Sequence, residues 1–220
     1  NQDASLIFKE LIEKSVIYNE LMNPIPTKRY YNELIDLSHI GAAPSYTFLL
    51  YLMSEFNDDK LLKETISFLV KYFIRRNLTD YPATRNLDNI FIGLIDKCEE
   101  NREKVNIDLI KEYLSHTDRF SKIDRVKERL DSGIYEDNID IARFLLCKIE
   151  ESHFTKENIR DLWKKDDKGK FIWTIEHIFP EGDKIPKEWV KMIANGDYEE
   201  AKGLQTMLVH TLGNLTITVY

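Results

Sequence analysis

The sequence is poor in cysteine, glycine and proline, and it has no long apolar run. Its 220 residues include two cysteines, eight glycines and six prolines. Cys98 and Cys147 lie in apolar helical patterns without a Cys-x-x-Cys or other metal-type spacing, so we expect reduced thiols in an intracellular, cytoplasmic protein. No apolar run approaches the roughly 20 residues that a membrane-spanning helix needs, which excludes membrane insertion.

The sequence also lacks an excess of basic residues. Its formal net charge is −7, and a surface that coats nucleic acid without specificity needs clustered Lys and Arg. Any DNA contact is therefore expected to be local, or to come from other parts of a longer protein. The first residues, Asn1-Gln2-Asp3, carry no initiator methionine and no apolar signal core, so we expect an internal fragment of such a protein.

The residues that are present predict mainly helices. Apolar side chains recur about every 3.6 positions over most of residues 1–153, which indicates a multi-helix array. The predicted helices span residues 6–22, 27–37, 46–56, 60–76, 85–100, 107–114, 122–131 and 138–151. We therefore expect an α-helical body over residues 1–153 and a separate module over residues 154–220.

One basic cluster lies beside aromatic residues in this body. Arg75 and Arg76 fall near the predicted C-terminus of the fourth helix. Two interpretations stay open for them. They could bind a phosphate group of the substrate, or they could interact with the helix dipole and pair with neighbouring carboxylates.

The composition changes at the charged turn of residues 164–170. The aromatic and β-branched residues 171–175 that follow predict a strand. Two short helices, 185–194 and 197–208, and a second strand, 215–219, complete the predicted module.

Two short motifs in this module carry groups suited to phosphodiester hydrolysis. This reaction needs a base for the attacking water and a divalent cation for the charge on the phosphate. His177 can accept a proton at neutral pH, and Glu176 offers a hard oxygen ligand for Mg²⁺. Neighbours on a regular strand point to opposite faces, so both can serve one site only if the strand bends. A strand-end surface pair is the alternative.

The second motif contains His210 and Asn214. The Asn214 side chain could accept a hydrogen bond from His177 and so fix its tautomer and ring angle, or it could merely cap a turn. His210 could contact phosphate or metal, or form a hydrogen bond within the module, and we slightly favour the second role.

Residues 175–180 followed by 210–216 resemble the C-terminal HNH (His-Me finger) nuclease domain of GmrSD-type, modification-dependent restriction endonucleases. The resemblance implies a ββα metal finger in which Glu176 is the acidic metal ligand, His177 the general base and Asn214 the residue that steadies it. It implies a metal-dependent DNA endonuclease of a restriction or anti-phage defence protein, with Mg²⁺ or Mn²⁺ as cofactor. An N-terminal nucleotide-hydrolysing domain of the same longer protein is the implied partner.

The sequence departs from this family in two places. Glu181 stands where the family usually has Gln, and it adds negative charge close to the expected phosphate position. The finger also needs a helix with a further Asn or His ligand, which would lie beyond Tyr220, so we expect a finger truncated after its second strand. The alternative is a degenerate, non-catalytic nuclease fold used for DNA binding or protein interaction within a larger machine. Retention of Glu176, His177 and Asn214 argues against it.

Overall fold

A computed structural model describes residues 2–56 and 58–219. The ends of the two predicted regions at Asn1 and Tyr220 lie outside the described residues. The described residues end just after the second strand, so they do not test the helix that the resemblance implies there. None of the described helices is long and apolar enough to cross a membrane.

The fold is mainly helical, as predicted, with one small antiparallel sheet. Helices account for 64% of the described residues, and this part of the chain contains eleven α-helices and two strands. These are α1 Gln2–Met22, α2 Tyr31–His39, α3 Tyr46–Glu55, α4 Asp59–Thr79, α5 Thr84–Glu100, α6 Ile107–Leu114, α7 Ile123–Leu130, α8 Ile134–Asp137, α9 Ile139–Glu151, β1 Thr174–His177, α10 Lys187–Ala194, α11 Tyr198–Leu208 and β2 Leu215–Thr218.

Side-chain caps determine several helix starts. The Asp58 carboxylate accepts hydrogen bonds from the Lys60 and Leu61 backbone N–H groups at 2.9 Å each, so it caps α4. The cap of α9 is Asn138, whose side chain accepts from the Ile141 backbone N–H at 3.1 Å. The residue before it, Asp137, ends the short helix α8.

The chain divides into two compact units, one up to Lys122 and one from Ile123. The predicted division was at residue 153, so three helices that precede this residue, α7, α8 and α9, lie in the same unit as the strands. Hydrophobic periodicity identifies a helix but not its packing partner, and α9 packs against β2.

Aromatic side chains form much of the core of the first unit. Tyr72, Phe73 and Phe91 are all at most 1% exposed. The Phe73 and Phe91 rings stack at 6.1 Å, and Tyr72 contacts Phe73 edge-on at 5.4 Å. The large buried area of these rings stabilises the packing of α4 against α5.

The two-stranded sheet of the second unit begins later in the sequence than predicted. Strand β1 starts at Thr174 and not at residue 171, because the residues before it are held by other partners. Phe171 forms an isolated bridge with Lys165, and the buried Arg143 of α9 lies 3.8 Å from its ring. Arg143 also donates a hydrogen bond to the Trp173 carbonyl oxygen at 2.7 Å. These contacts attach the segment before β1 to α9.

Helices α10 and α11 share a small hydrophobic core with the segment after β1. Its buried members are Phe179, Ile185, Val190, Ala194 and Ala201. The Phe179 ring stacks on Trp189 of α10 at 5.1 Å. The position of Phe179 therefore fixes the chain two residues beyond His177.

Candidate functional site

The strand register places Glu176 and His177 on opposite faces of the two-stranded sheet. His177 pairs with Leu215 and Glu176 pairs with Thr216, and residues directly opposite in an antiparallel pair share a face. Leu215 is buried and Thr216 is exposed. The Glu176 carboxylate accepts a hydrogen bond from the Thr174 hydroxyl at 3.0 Å, again on its own face. The bend needed to bring both side chains to one site is absent from this regular pairing.

The imidazole of His177 belongs instead to a row of four side chains. Its Nε2 lies 3.2 Å from Nδ1 of His210, and its Nδ1 lies 3.3 Å from a carboxylate oxygen of Glu181. On the far side, Nε2 of His210 lies 3.3 Å from a carboxylate oxygen of Glu136. The order in space is therefore Glu181, His177, His210, Glu136, and we call these four residues the histidine row.

Helix α8 forms one wall of the histidine row. The Tyr135 ring stacks on His210 at 5.7 Å with an interplanar angle of 10°, and contacts His177 edge-on at 4.8 Å. The Tyr135 backbone N–H donates to the His210 carbonyl oxygen at 3.1 Å. The next residue, Glu136, supplies the last carboxylate of the row. The sequence analysis assigned no helix between residues 131 and 138, so it missed both residues.

Two neutral imidazoles carry two ring hydrogens in total, which is too few for a hydrogen bond at each of the three contacts of the histidine row. An ionised carboxylate only accepts, so Glu181 and Glu136 each favour the tautomer with the hydrogen on the ring nitrogen that faces them. In that pair of neutral tautomers both nitrogens of the 3.2 Å contact between His177 and His210 would carry lone pairs. A further proton or a cation between these two nitrogens removes the repulsion.

Asn214 does not bind the His177 ring. Its Oδ1 accepts from the Phe179 backbone N–H at 2.7 Å. Its Nδ2 donates to the Phe179 and Val209 carbonyl oxygens at 3.1 and 2.9 Å. The predicted direct bond to the imidazole is replaced by these three because the amide points at the backbone that leaves β1. Asn214 therefore holds the backbone at Phe179, two residues after His177.

Gln205 braces the next part of the same segment. Its buried Nε2 donates to the Pro180 carbonyl oxygen at 2.6 Å and to the Gly182 carbonyl oxygen at 3.1 Å. These two carbonyls flank Glu181, so the backbone of Glu181 is held on both sides. A glutamine on a predicted amphipathic helix gives no sequence signal for this role.

Replacing Asn214 with alanine is expected to destabilise the protein by about 1–3 kcal/mol, because one N–H and two carbonyl groups of the backbone lose their partner. Chemical denaturation measures this change. The control is Asn158→Ala at an exposed position, where we expect about 0.5 kcal/mol or less. Equal effects of the two substitutions would show that the three hydrogen bonds contribute nothing specific.

Arg75 and Arg76 belong to α4 of the first unit, where the structure gives both of them protein partners. The Arg76 side chain is 15% exposed, and its guanidinium donates to the Pro82 carbonyl oxygen, Asn77 Oδ1 and Thr84 Oγ1. The Arg75 guanidinium lies 4.8 Å from the centre of the Phe120 ring. These contacts favour the structural interpretation for Arg76.

The two cysteines are buried and free. Burial raises the pKa of the Cys98 thiol to about 11 and that of the Cys147 thiol to about 11. Since the thiolate is the reactive form, neither is suited to nucleophilic catalysis.

One group of side chains in the described part of the chain could hold a metal ion through three ligands. One ligand atom from each of His177, Glu181 and His210 lies within 4.8 Å of the other two. Glu176, the predicted metal ligand, is not a member. His177 and His210 are 33 residues apart, and no sequence spacing indicated that they meet.

Residues 120–219 match the family model of the GmrSD restriction endonucleases, C-terminal domain. The match confirms, over this stretch, the resemblance that the two motifs indicated, and the family supports a restriction endonuclease role. Searches of curated proteins and of solved structures find no match.

Proposed function

We propose that the protein is a metal-dependent endonuclease that hydrolyses DNA, with His177 as the general base, in restriction or anti-phage defence. The observation that carries this proposal is the environment of His177 within the matched family segment. Its side chain is 10% exposed, contacts Tyr135, and has a partner at each ring nitrogen. Such a fixed imidazole is suited to accept a proton from a positioned water.

Glu181 determines which nitrogen of His177 acts. Its carboxylate faces Nδ1 at 3.3 Å, so Nδ1 carries the hydrogen and Nε2 keeps the lone pair. His210 contacts Nε2 at 3.2 Å. In the proposed reaction, water reaches Nε2 only after the His210 ring has moved away from it. Substrate entry and movement of the His210 ring are therefore coupled.

The described residues fit a magnesium ion only in part. The Glu176 carboxylate is the hard oxygen ligand that Mg²⁺ prefers. However, no three-membered group of His, Cys, Asp and Glu side chains in the described ranges includes it. We keep Glu176 as the proposed ligand of Mg²⁺ or Mn²⁺, with further ligands from outside these residues, and derive no reaction step through the ion. When bound, such a cation would neutralise charge on the phosphate.

The remaining parts of the proposal concern partners. DNA is the proposed substrate, in line with the nuclease family. We propose that an N-terminal nucleotide-hydrolysing domain of the same longer protein acts with this unit, and that the protein works in the cytoplasm.

The test is cleavage of supercoiled plasmid by the full-length protein with Mg²⁺, with Mn²⁺ and with a chelator. We expect nicked or linear product only with metal. Glu176→Ala should raise the metal concentration for half-maximal cleavage at least about 10-fold, because it removes a direct ligand. The exposed Glu199→Ala is the control. Cleavage in chelator, or an unchanged metal requirement in Glu176→Ala, would refute metal dependence through Glu176.

A non-catalytic DNA-binding module is the second candidate. It is favoured by the His210 contact, which occupies the nitrogen that the base requires. DNA binding in a gel-shift assay without cleavage in any metal would establish this function instead.

A further inference from the structure

The histidine row contains a nitrogen-rich donor set that the proposed magnesium chemistry does not use. We propose that His177, His210 and Glu181 form a binding site for one transition-metal cation of the Zn²⁺ class. This site is separate from the proposed magnesium site at Glu176, because Glu176 lies on the other face of the two-stranded sheet.

The distance between the two imidazoles fits such a cation. Tetrahedral Zn²⁺ with Zn–N bonds of about 2.05 Å separates two nitrogen ligands by about 3.3 Å. His177 Nε2 and His210 Nδ1 are 3.2 Å apart. A cation can therefore bind both nitrogens with little movement of either ring.

The outer nitrogens of both rings favour the same arrangement. A metal-bound histidine usually donates its other N–H to a carboxylate, which fixes the ring and raises its basicity. His177 Nδ1 faces Glu181 and His210 Nε2 faces Glu136, each at 3.3 Å. Both inner nitrogens then present lone pairs to the same point, and a cation there removes their mutual repulsion.

Glu181 completes the ligand set. One of its oxygens lies within 4.8 Å of a nitrogen of each histidine. Its side chain is 58% exposed, so it can turn from the outer nitrogen of His177 towards the cation, and a water molecule then accepts the Nδ1–H in its place. Two histidines and one glutamate are the protein ligands of known open zinc sites, where the fourth position holds water or substrate. Mg²⁺ prefers an all-oxygen shell, so the donor set discriminates against it.

The two imidazoles are protected from solvent, which supports a defined site. The His177 side chain is 10% exposed and that of His210 is 22% exposed. Tyr135 contacts both rings and limits their rotation. Ligands that are already ordered lose little side-chain entropy when the cation binds.

Binding has a consequence that rests on the proposed function. The cation takes the Nε2 lone pair that His177 needs as a general base. Micromolar Zn²⁺ should therefore inhibit Mg²⁺-dependent cleavage, and a selective chelator should reverse the inhibition.

The test is titration of the protein with Co²⁺, which reports its coordination through visible absorption, followed by displacement with Zn²⁺. We expect one equivalent to bind, without competition from millimolar Mg²⁺. His210→Phe keeps a ring against Tyr135 but removes both nitrogens. It should lower the affinity more than the about 10- to 100-fold that loss of an outer partner costs. Glu181→Ala should lower it more than Glu136→Gln does. The control is His116→Gln, a substitution at an exposed histidine of the first unit. This variant should bind the cation with wild-type affinity.

Full affinity in His210→Phe or in Glu181→Ala would overturn the proposed site. If a variant does not fold, ring-nitrogen NMR of the wild-type protein decides. Zn²⁺ should then shift the signals of His177 and His210, and shifts confined to other histidines would overturn the proposal. Binding at this site without inhibition of cleavage would keep the site and refute His177 as the base, so the two hypotheses fail separately.

Discussion

Replacing His177 with alanine or asparagine is expected to slow DNA cleavage by the full-length protein at least about 100-fold, the lower range for a positioned general base. The asparagine substitution is the more specific test of the general base. Its side-chain N–H₂ can donate to Glu181, whose carboxylate oxygen lies 3.3 Å from Nδ1 of His177, but it has no nitrogen that accepts a proton at neutral pH. Single-turnover rates with saturating DNA measure the chemical step directly.

Stability and DNA affinity have to be measured beside the rate. His177 lies against Tyr135, so alanine removes packing that asparagine partly keeps, and we expect the melting temperature of His177→Asn to stay near the wild-type value. His153→Ala, at an exposed histidine, is the matched control and should cut at the wild-type rate. Wild-type cleavage by folded His177→Asn would contradict the mechanism.

The helices were predictable because each one buries an apolar face, and this face repeats at the helical period. α6 was predicted with the bounds that the structure shows, and β2 to within one residue. The start of β1 was wrong by three residues. Residues 171–173 have strand-forming side chains, but their partners are Arg143 and Lys165 and not β2. Tertiary contacts override β propensity in this segment.

His177, His210 and Glu181 stood out in the sequence, but Glu136 and the arrangement of the four residues did not. His177 and His210 stood out by residue type and motif, yet their contact depends on how α8 and the loop after β1 pack. Glu181 was recognised only as a departure from the family, although it contacts His177. The role of Asn214 depended on whether its amide faces a ring or the backbone, and spacing along the chain does not specify this.

The second large effect is expected at Glu181, where two consequences of one substitution have opposite signs. Glu181→Gln removes a negative charge next to the proposed phosphate position, so the KM for DNA should fall, and more strongly at low salt. The same change weakens the partner of His177 Nδ1. Loss of such an outer partner typically costs 10- to 100-fold in activity, so kcat should fall by about 10-fold. A substitution that only disturbed the fold would not tighten DNA binding while slowing the reaction.

Comparison of glutamine with alanine at position 181 separates charge from hydrogen bonding. Glutamine keeps an oxygen that can accept from His177 Nδ1–H, whereas alanine keeps neither the oxygen nor the charge. Both variants should lower KM alike, but Glu181→Ala should lower kcat further than Glu181→Gln. Glu199→Gln, an exposed acid of α11, changes net charge equally and should leave kcat unchanged. An unchanged or higher kcat in Glu181→Ala would mean that His177 does not depend on this carboxylate, and that Glu181 only repels the substrate.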